Sequence, residues 1–270
     1  MHHPRAFGAH TFGLAFDRDA EAALDALLAA DFRVLELMAT PPHYDPWRPA
    51  PGLTRRLGDA LRGARARLVA LDLASSDVNL AALAPAAVDF AVAAYEALIE
   101  QAAEIGAGGV CLHSGRRSAL APWLDARLGA VYRDAFERIL RACERAGVMA
   151  LIENHPAGLL PDAEAIGGFL AGYDAARAGV IYDVANAAAI GEDPAAGLAR
   201  LAPRLAAIHL SDAPRGAWRH DPIGAGAINF AAALAAAPAN APTLIEIVSP
   251  DPFNDLIESR HRLQALAAAG

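Results

Sequence analysis

Short apolar runs and longer amphipathic runs alternate from one end of the chain to the other. Phe7–Phe12, Arg33–Met38, Arg67–Leu73, Val110–His113, Val148–Glu153, Gly179–Asp183, Leu205–Leu210 and Thr243–Val248 read as strands. Helical periodicity fills the stretches between them. Asp17–Ala30 places Leu24, Leu27 and Leu28 on one face, and a second helix is expected over Leu53–Ala66. Pro85 opens a long helix to Ile105, which Gly106 to Gly109 stop. Ala121–Ala146 sets Leu124, Leu128, Val131, Ala135, Ile139 and Cys143 along one side, a Glu137–Arg141 pair on the other and Gly147 at its end. Pro161–Ala171, Pro194–Leu201, Ile228–Ala237 and Phe253–Ala269 complete the helices.

Eight strands, each followed by a helix over about 250 residues, predict a parallel (β/α)₈ TIM barrel. No shift of composition marks a linker, so residues 1–270 read as a single domain of α/β class. The alternative, a doubly wound open sheet, lacks the glycine-rich phosphate loop after its first strand. Two connections are longer than a barrel needs. Thr40–Gly52 is proline-rich and carries His43, Tyr44 and Trp47, and Ser211–Gly226 is dense in charged and aromatic residues.

Composition narrows the function. The chain of 270 residues is 55% hydrophobic and 20% charged, as a well-cored globular protein should be. A net charge of -8 argues against nucleic acid as a partner, since a phosphate-backbone binder needs a concentrated basic face. Arg55-Arg56, Arg62–Arg67 and Arg116-Arg117 read as solvated faces. Cys111 and Cys143 form no CxxC pair and read as small buried hydrophobes in a reducing compartment. The N-terminus lacks the apolar core of a signal peptide, and no uncharged stretch reaches membrane-spanning length. A cytoplasmic protein acting on a small molecule, with no membrane partner, is expected; the alanine-rich helices permit a homodimer.

Four of the expected strands end in a hard ligand. Glu153 closes MALIE, Asp183 closes GVIYD, His209 follows LAAI and Glu246 follows TLI. Three of them have an ordinary structural explanation: Glu153 in a salt bridge on the barrel rim, Asp183 as a cap, His209 as a hydrogen-bonded core histidine. All four on the C-terminal face of one barrel are better explained by one divalent cation, because an apolar strand ending in an unneutralised acid is costly. Three carboxylates and an imidazole, with no thiolate, favour Mn²⁺ or Mg²⁺, with Co²⁺ or Zn²⁺ possible.

The runs LIENH, IYDVAN, AIHLSD, RHDPIGAG and LIEI, in this order and spacing, resemble the later strands of the xylose isomerase-like TIM-barrel superfamily, which includes sugar isomerases and epimerases, inosose dehydratases and endonuclease IV-type repair enzymes. The resemblance implies metal ligation by Glu153, Asp183, His209 and Glu246. Several departures speak against a trinuclear nuclease site. Ser75 and Ser76 stand where such relatives place a histidine, Asn186 stands three residues after the aspartate where histidine is usual, and Trp218 stands two before His220 in place of an aspartate. What remains is similar to the single-metal ketose epimerases. In that chemistry a metal stabilises the enediolate oxygen, while Glu153 and Glu246, on roughly opposite sides of the metal, serve as paired acid and base.

The resemblance also nominates Arg215, six residues after His209, as a contact to substrate. His113, His155, His220, Asn186 and Trp47 are further candidates for the substrate pocket. The leading expectation is therefore a metal-dependent sugar or polyol isomerase or epimerase. An inosose-type dehydratase is the nearest rival, and an endonuclease IV-like phosphodiesterase the more distant one.

Overall fold

The structure is a computed structural model that describes residues 5–74 and 78–269. Ser75 and Ser76 lie outside the described residues. Eight strands close into one parallel barrel in sequence order: β1 Phe7–His10, β2 Val34–Ala39, β3 Arg67–Leu73, β4 Gly109–His113, β5 Met149–Glu153, β6 Ala178–Asp183, β7 Leu205–Leu210 and β8 Thr243–Ile245. Closure is made where Phe7, Gly8 and Ala9 pair with Thr243, Leu244 and Ile245. The expected TIM barrel is the fold observed, in a single domain.

Backbone chemistry explains where the elements begin and end. Helices α1 Ala20–Ala29, α5 Ala163–Leu170 and α7 Pro194–Leu201 start behind Asp19, Asp162 and Asp193, whose carboxylates accept backbone N–H groups of the first turn. Helices α3 Pro85–Ile105 and α4 Asp125–Ala146 run into Gly106 and Gly147, at φ 90° and 72°, a left-handed turn that other residues adopt only with strain. The remaining helices are α2 Leu53–Gly63, α6 Val184–Ala189, α8 Phe230–Ala236 and α9 Pro252–Ala269. None of the described helices is long and apolar enough to cross a membrane.

Of the differences from the sequence pattern, three have a clear local reason. The helix expected from Ala121 is preceded by a separate 3-10 turn over Pro122–Leu124 and begins at Asp125. Helix α6 has no periodic signature because it is too short to show one; Asp183 caps it by accepting the N–H of Asn186. Strand β1 ends at His10 because the Phe12 N–H turns back to His10 Nδ1 at 3.0 Å.

The core has two compartments. The larger packs the helices onto the outside of the barrel and includes Leu27, Phe32, Leu71, Leu98, Phe136, Ile152 and Leu198. The smaller fills the barrel itself, with Ala70, Cys111, Leu151, Ile181, Ala207 and Leu244 among its members. Gly8 borders that interior, where a Cβ would collide with the Val34 carbonyl oxygen, so no larger residue lets β1 approach β2 this closely. Cys111 and Cys143 are free and buried, and burial raises both thiols, that of Cys143 to about 12.

Candidate active site

Along a strand, side chains two residues apart point the same way. The apolar floor made by Ala70, Cys111, Leu151, Ile181, Ala207 and Leu244 therefore dictates what lies one layer above it. Two residues further on stand Asp72, His113, Glu153, Asp183, His209 and Glu246. Strands β1 and β2 add His10 and Glu36, two residues beyond Gly8 and Val34. Every strand thus contributes one titratable side chain to a single layer at the C-terminal end of the barrel, and all of them are buried except the partly buried His113.

Within this layer Glu153, Asp183, His209 and Glu246 each present a ligand atom, and the four atoms lie within 4.8 Å of one another. His209 Nδ1 stands 3.0 Å from Glu153 Oε1 and 3.0 Å from Glu246 Oε2. The donor set fits a divalent cation on two grounds. Its oxygens and imidazole nitrogen suit a hard or borderline metal. In addition, Asp183 Oδ2 is buried without a hydrogen-bond partner among the described residues, a costly state for a carboxylate that ligation relieves. Asp183 divides its labour: one oxygen caps α6 while the other faces the cluster, so the capping and ligand readings of this residue coexist.

Electrostatics follow from the crowding. Burial pushes the Asp183 carboxyl up to about 7, with Glu246 and Glu153 adding to the effect and the neighbouring histidines opposing it. Burial also raises Glu153. Glu246 goes the other way, because His209, His220 and His10 together outweigh its desolvation and hold it well below the usual range. His209 is raised well above its ordinary value despite burial, chiefly by Glu36 and Glu246. The field that holds positive charge on these imidazoles is the field a cation would enter.

Three members of the layer, Glu36, Asp72 and His10, were not among the candidates drawn from the sequence. His209 Nε2 lies 3.0 Å from Glu36 Oε2, so the carboxylate holds the far side of the ring. His10 Nδ1 accepts the Phe12 N–H, which places its proton on Nε2, facing Asp72 Oδ2 at 3.5 Å and Glu36 Oε1 at 3.8 Å. Asp72 reaches His113 Nε2 at 3.2 Å with its other oxygen. Burial would lower His113, but the hydrogen bond and charge of Asp72, with Glu153 and Glu246 behind, raise it to about 9. The signal for Glu36 and Asp72 was present as a lone carboxylate inside RVLELM and RLVALDL. A search confined to strand ends passes over both.

Above the layer opens a cavity of about 330 Å³, the size of a small-molecule site. Glu153, Glu246, Asp72, His113, His155, His220 and Asn186 line it, together with Phe12, Phe16, Met38, Arg116 and Trp218. His220 Nδ1 is 3.0 Å from Ser211 Oγ and 3.7 Å from both Asp183 Oδ2 and Glu246 Oε2. His155 is lowered to about 3, first by burial and then by the charge of His113, and its Nδ1 accepts the Ala157 N–H. Two candidates are placed elsewhere. Trp47 stacks on Phe90 of α3 with ring centroids 6.0 Å apart, and Arg215 is exposed on the Ser211–Gly226 loop; neither lines the cavity. Trp47 thus sits on the loop after β2 against α3, and Arg215 stands beside Gly216, whose φ is 71°.

Comparison with known proteins agrees with this architecture. A family model described as xylose isomerase-like TIM barrel matches residues 24–265. No curated protein matches the sequence. Among solved structures, a D-tagatose 3-epimerase-like protein superposes with a TM-score of 0.85 at 19% identity, covering 98% of this chain and 97% of that one. An L-ribulose 3-epimerase gives 0.73 at 16% identity over 99% and 95%. A protein from Thermus thermophilus, soaked with zinc chloride, gives 0.76 at 24% identity over 98% of each chain.

Proposed function

Because the chain belongs to the xylose isomerase-like TIM-barrel family, we propose that it is a sugar or polyol isomerase or epimerase that uses one divalent metal and moves a proton on the carbon next to a carbonyl. One observation carries the reading. Glu153 and Glu246 both line the cavity and both stand 3.0 Å from the same nitrogen of His209, so two carboxylates flank one prospective ligand position. The solved sugar epimerases of the same fold are consistent with it.

Glu153, Asp183, His209 and Glu246 would hold the metal. When bound, it would supply Lewis-acid stabilisation of the negative charge that develops on the carbonyl oxygen. Mn²⁺ or Mg²⁺ suits the donor set best. The remaining work falls to the protein. One of the two glutamates takes the proton and the other returns it, to the opposite face of the same carbon or to its neighbour. Asp72 fixes His113 beside Glu153, whose Oε2 lies 3.3 Å from His113 Nδ1. His220, tied to Ser211, stands between the ligand set and the cavity, within reach of a substrate hydroxyl.

The deciding experiment is proton NMR in D₂O with Mn²⁺-loaded protein and a panel of D-tagatose, D-fructose, scyllo-inosose and hydroxypyruvate. Deuterium should enter the carbon next to the carbonyl in at least one of them without loss of water. Glu153→Gln and Glu246→Gln should each slow that exchange by about 10²–10⁴-fold, the usual contribution of a general acid or base. Loss of water from the inosose would mark a dehydratase. Exchange at the native rate in both variants would remove the acid–base pair.

A further inference from the structure

Both ends of the Asn186 amide are engaged inside the protein. Its Oδ1 accepts the Trp218 Nε1–H at 2.8 Å, and its Nδ2 donates to the Asn154 carbonyl at 3.0 Å. An indole nitrogen only donates and a carbonyl only accepts, so the amide has one orientation. Asn154 is locked in turn, exchanging two hydrogen bonds with the backbone of Asp183. Trp218 is thereby fastened through Asn186 to the strand end that carries the site. The edge-to-face contact of its ring with His155, at 4.8 Å and 81°, fixes the remaining rotation.

The consequence is an apolar wall. With its N–H satisfied inside, the indole presents only ring to the cavity, and the residue is 50% exposed. Phe16, 66% exposed, also lines the cavity. Large aromatic surface left open at the mouth of a pocket, above a floor of carboxylates and imidazoles, matches a ligand that is polar at one end and carries a C–H face at the other. We infer that Trp218 is a specificity-determining wall for the C–H face of a polyol chain or ring that extends beyond the two reacting carbons. Asn186 is the positioning residue that holds this wall. The choice of ligand rests on the isomerase reading; the tether does not.

The chain has three tryptophans, so replacing Trp47 and Trp123, both exposed, by phenylalanine leaves Trp218 as the only reporter. In that background Asn186→Leu should shift the emission to the red and raise acrylamide quenching at least twofold. D-Tagatose should quench the emission in the parent. In the exchange assay, Trp218→Ala should raise KM for D-tagatose and D-fructose at least tenfold with kcat changed less than threefold, and leave KM for three-carbon hydroxypyruvate unchanged. Unaltered quenching in Asn186→Leu overturns the tether. An equal loss on six-carbon and three-carbon ketoses, or no response of Trp218 to D-tagatose, overturns the wall. Failure of the native protein to exchange any substrate proton would defeat the isomerase reading, and the two fluorescence readouts would still decide the role of Trp218.

Discussion

His209 Nε2 and Glu36 Oε2 stand 3.0 Å apart, and the opposite nitrogen of the same ring faces Glu153 and Glu246. The imidazole is held from behind by one carboxylate while its other nitrogen is offered to the cluster. A carboxylate that receives the second N–H of a ligating histidine fixes its tautomer and strengthens it as a donor. Glu36→Gln should therefore weaken Mn²⁺ binding by about 10–100-fold. Titration calorimetry, or Mn²⁺ electron paramagnetic resonance, measures this without reference to catalysis. An unchanged affinity in a folded variant would show that Glu36 does not support the ring.

Metal should stabilise the fold through the same cluster. Protein freed of metal with EDTA should melt lower than protein at a Mn²⁺ concentration about 100 times Kd, where binding contributes about 2.7 kcal/mol. Asp183→Asn keeps a good helix cap for α6 but removes a charged ligand. It should abolish most of the Mn²⁺-dependent rise in Tm while changing the metal-free Tm little. A rise as large as that of the native protein would place the ion elsewhere.

The apolar floor predicts where stability resides. Leu244 is fully buried inside the barrel, two residues before Glu246, whereas Leu120 is 90% exposed. Leu244→Ala should cost about 2–5 kcal/mol in urea unfolding, the range for buried leucine. Leu120→Ala should stay within about 0.5 kcal/mol. Similar losses at the two positions would contradict the packing described.

One buried histidine gives a pH dependence of definite sign. His43 Nδ1 lies 2.6 Å from the Arg18 carbonyl and must donate to it, so Nε2, 3.1 Å from Thr11 Oγ1, accepts the hydroxyl proton. The same hydroxyl oxygen receives the Met38 N–H, which ties the ends of β1 and β2 to the loop after β2. Burial holds the imidazole below its ordinary value, so the folded protein keeps it neutral. Below about pH 6.5 the unfolded chain takes up a proton that the folded chain refuses. The contribution is thus intact above that pH and declines as pH falls towards the folded-state value, by at most about 1.4 kcal/mol per pH unit. Comparing urea stability of the native protein and His43→Gln between pH 7.5 and 5 should show the steeper acid loss in the native protein; parallel curves would refute it.

Much of the site was legible before any tertiary contact was known. Glu153 and Asp183 end their strands, His209 is one residue short of an end and Glu246 lies one beyond β8, so a rule that reads strand ends finds all four. Glu36 and Asp72 escaped it because they lie inside β2 and β3, where a lone carboxylate within an apolar run carries no indication of which partner satisfies it. The pocket candidates divided for a related reason. His113, His155 and His220 sit next to strand ends or return over them, whereas Trp47 and Arg215 belong to long loops whose paths depend on what they pack against.

The amino-acid sequence by itself determined the alternation of strands and helices, the family and the layer of strand-end carboxylates and imidazoles, because each arises from local periodicity: residues two apart in a strand share a face, and a run of apolar residues sets where that face is buried. Tertiary structure alone decided that β1 closes against β8, bringing His10 within 3.9 Å of Glu246 across the whole length of the chain, and that Glu36 stands behind His209. It also committed the Asn186 amide to Trp218 and to the Asn154 backbone. Such pairings depend on barrel register and loop packing, which are collective properties of all the strands, and no stretch of sequence encodes them alone.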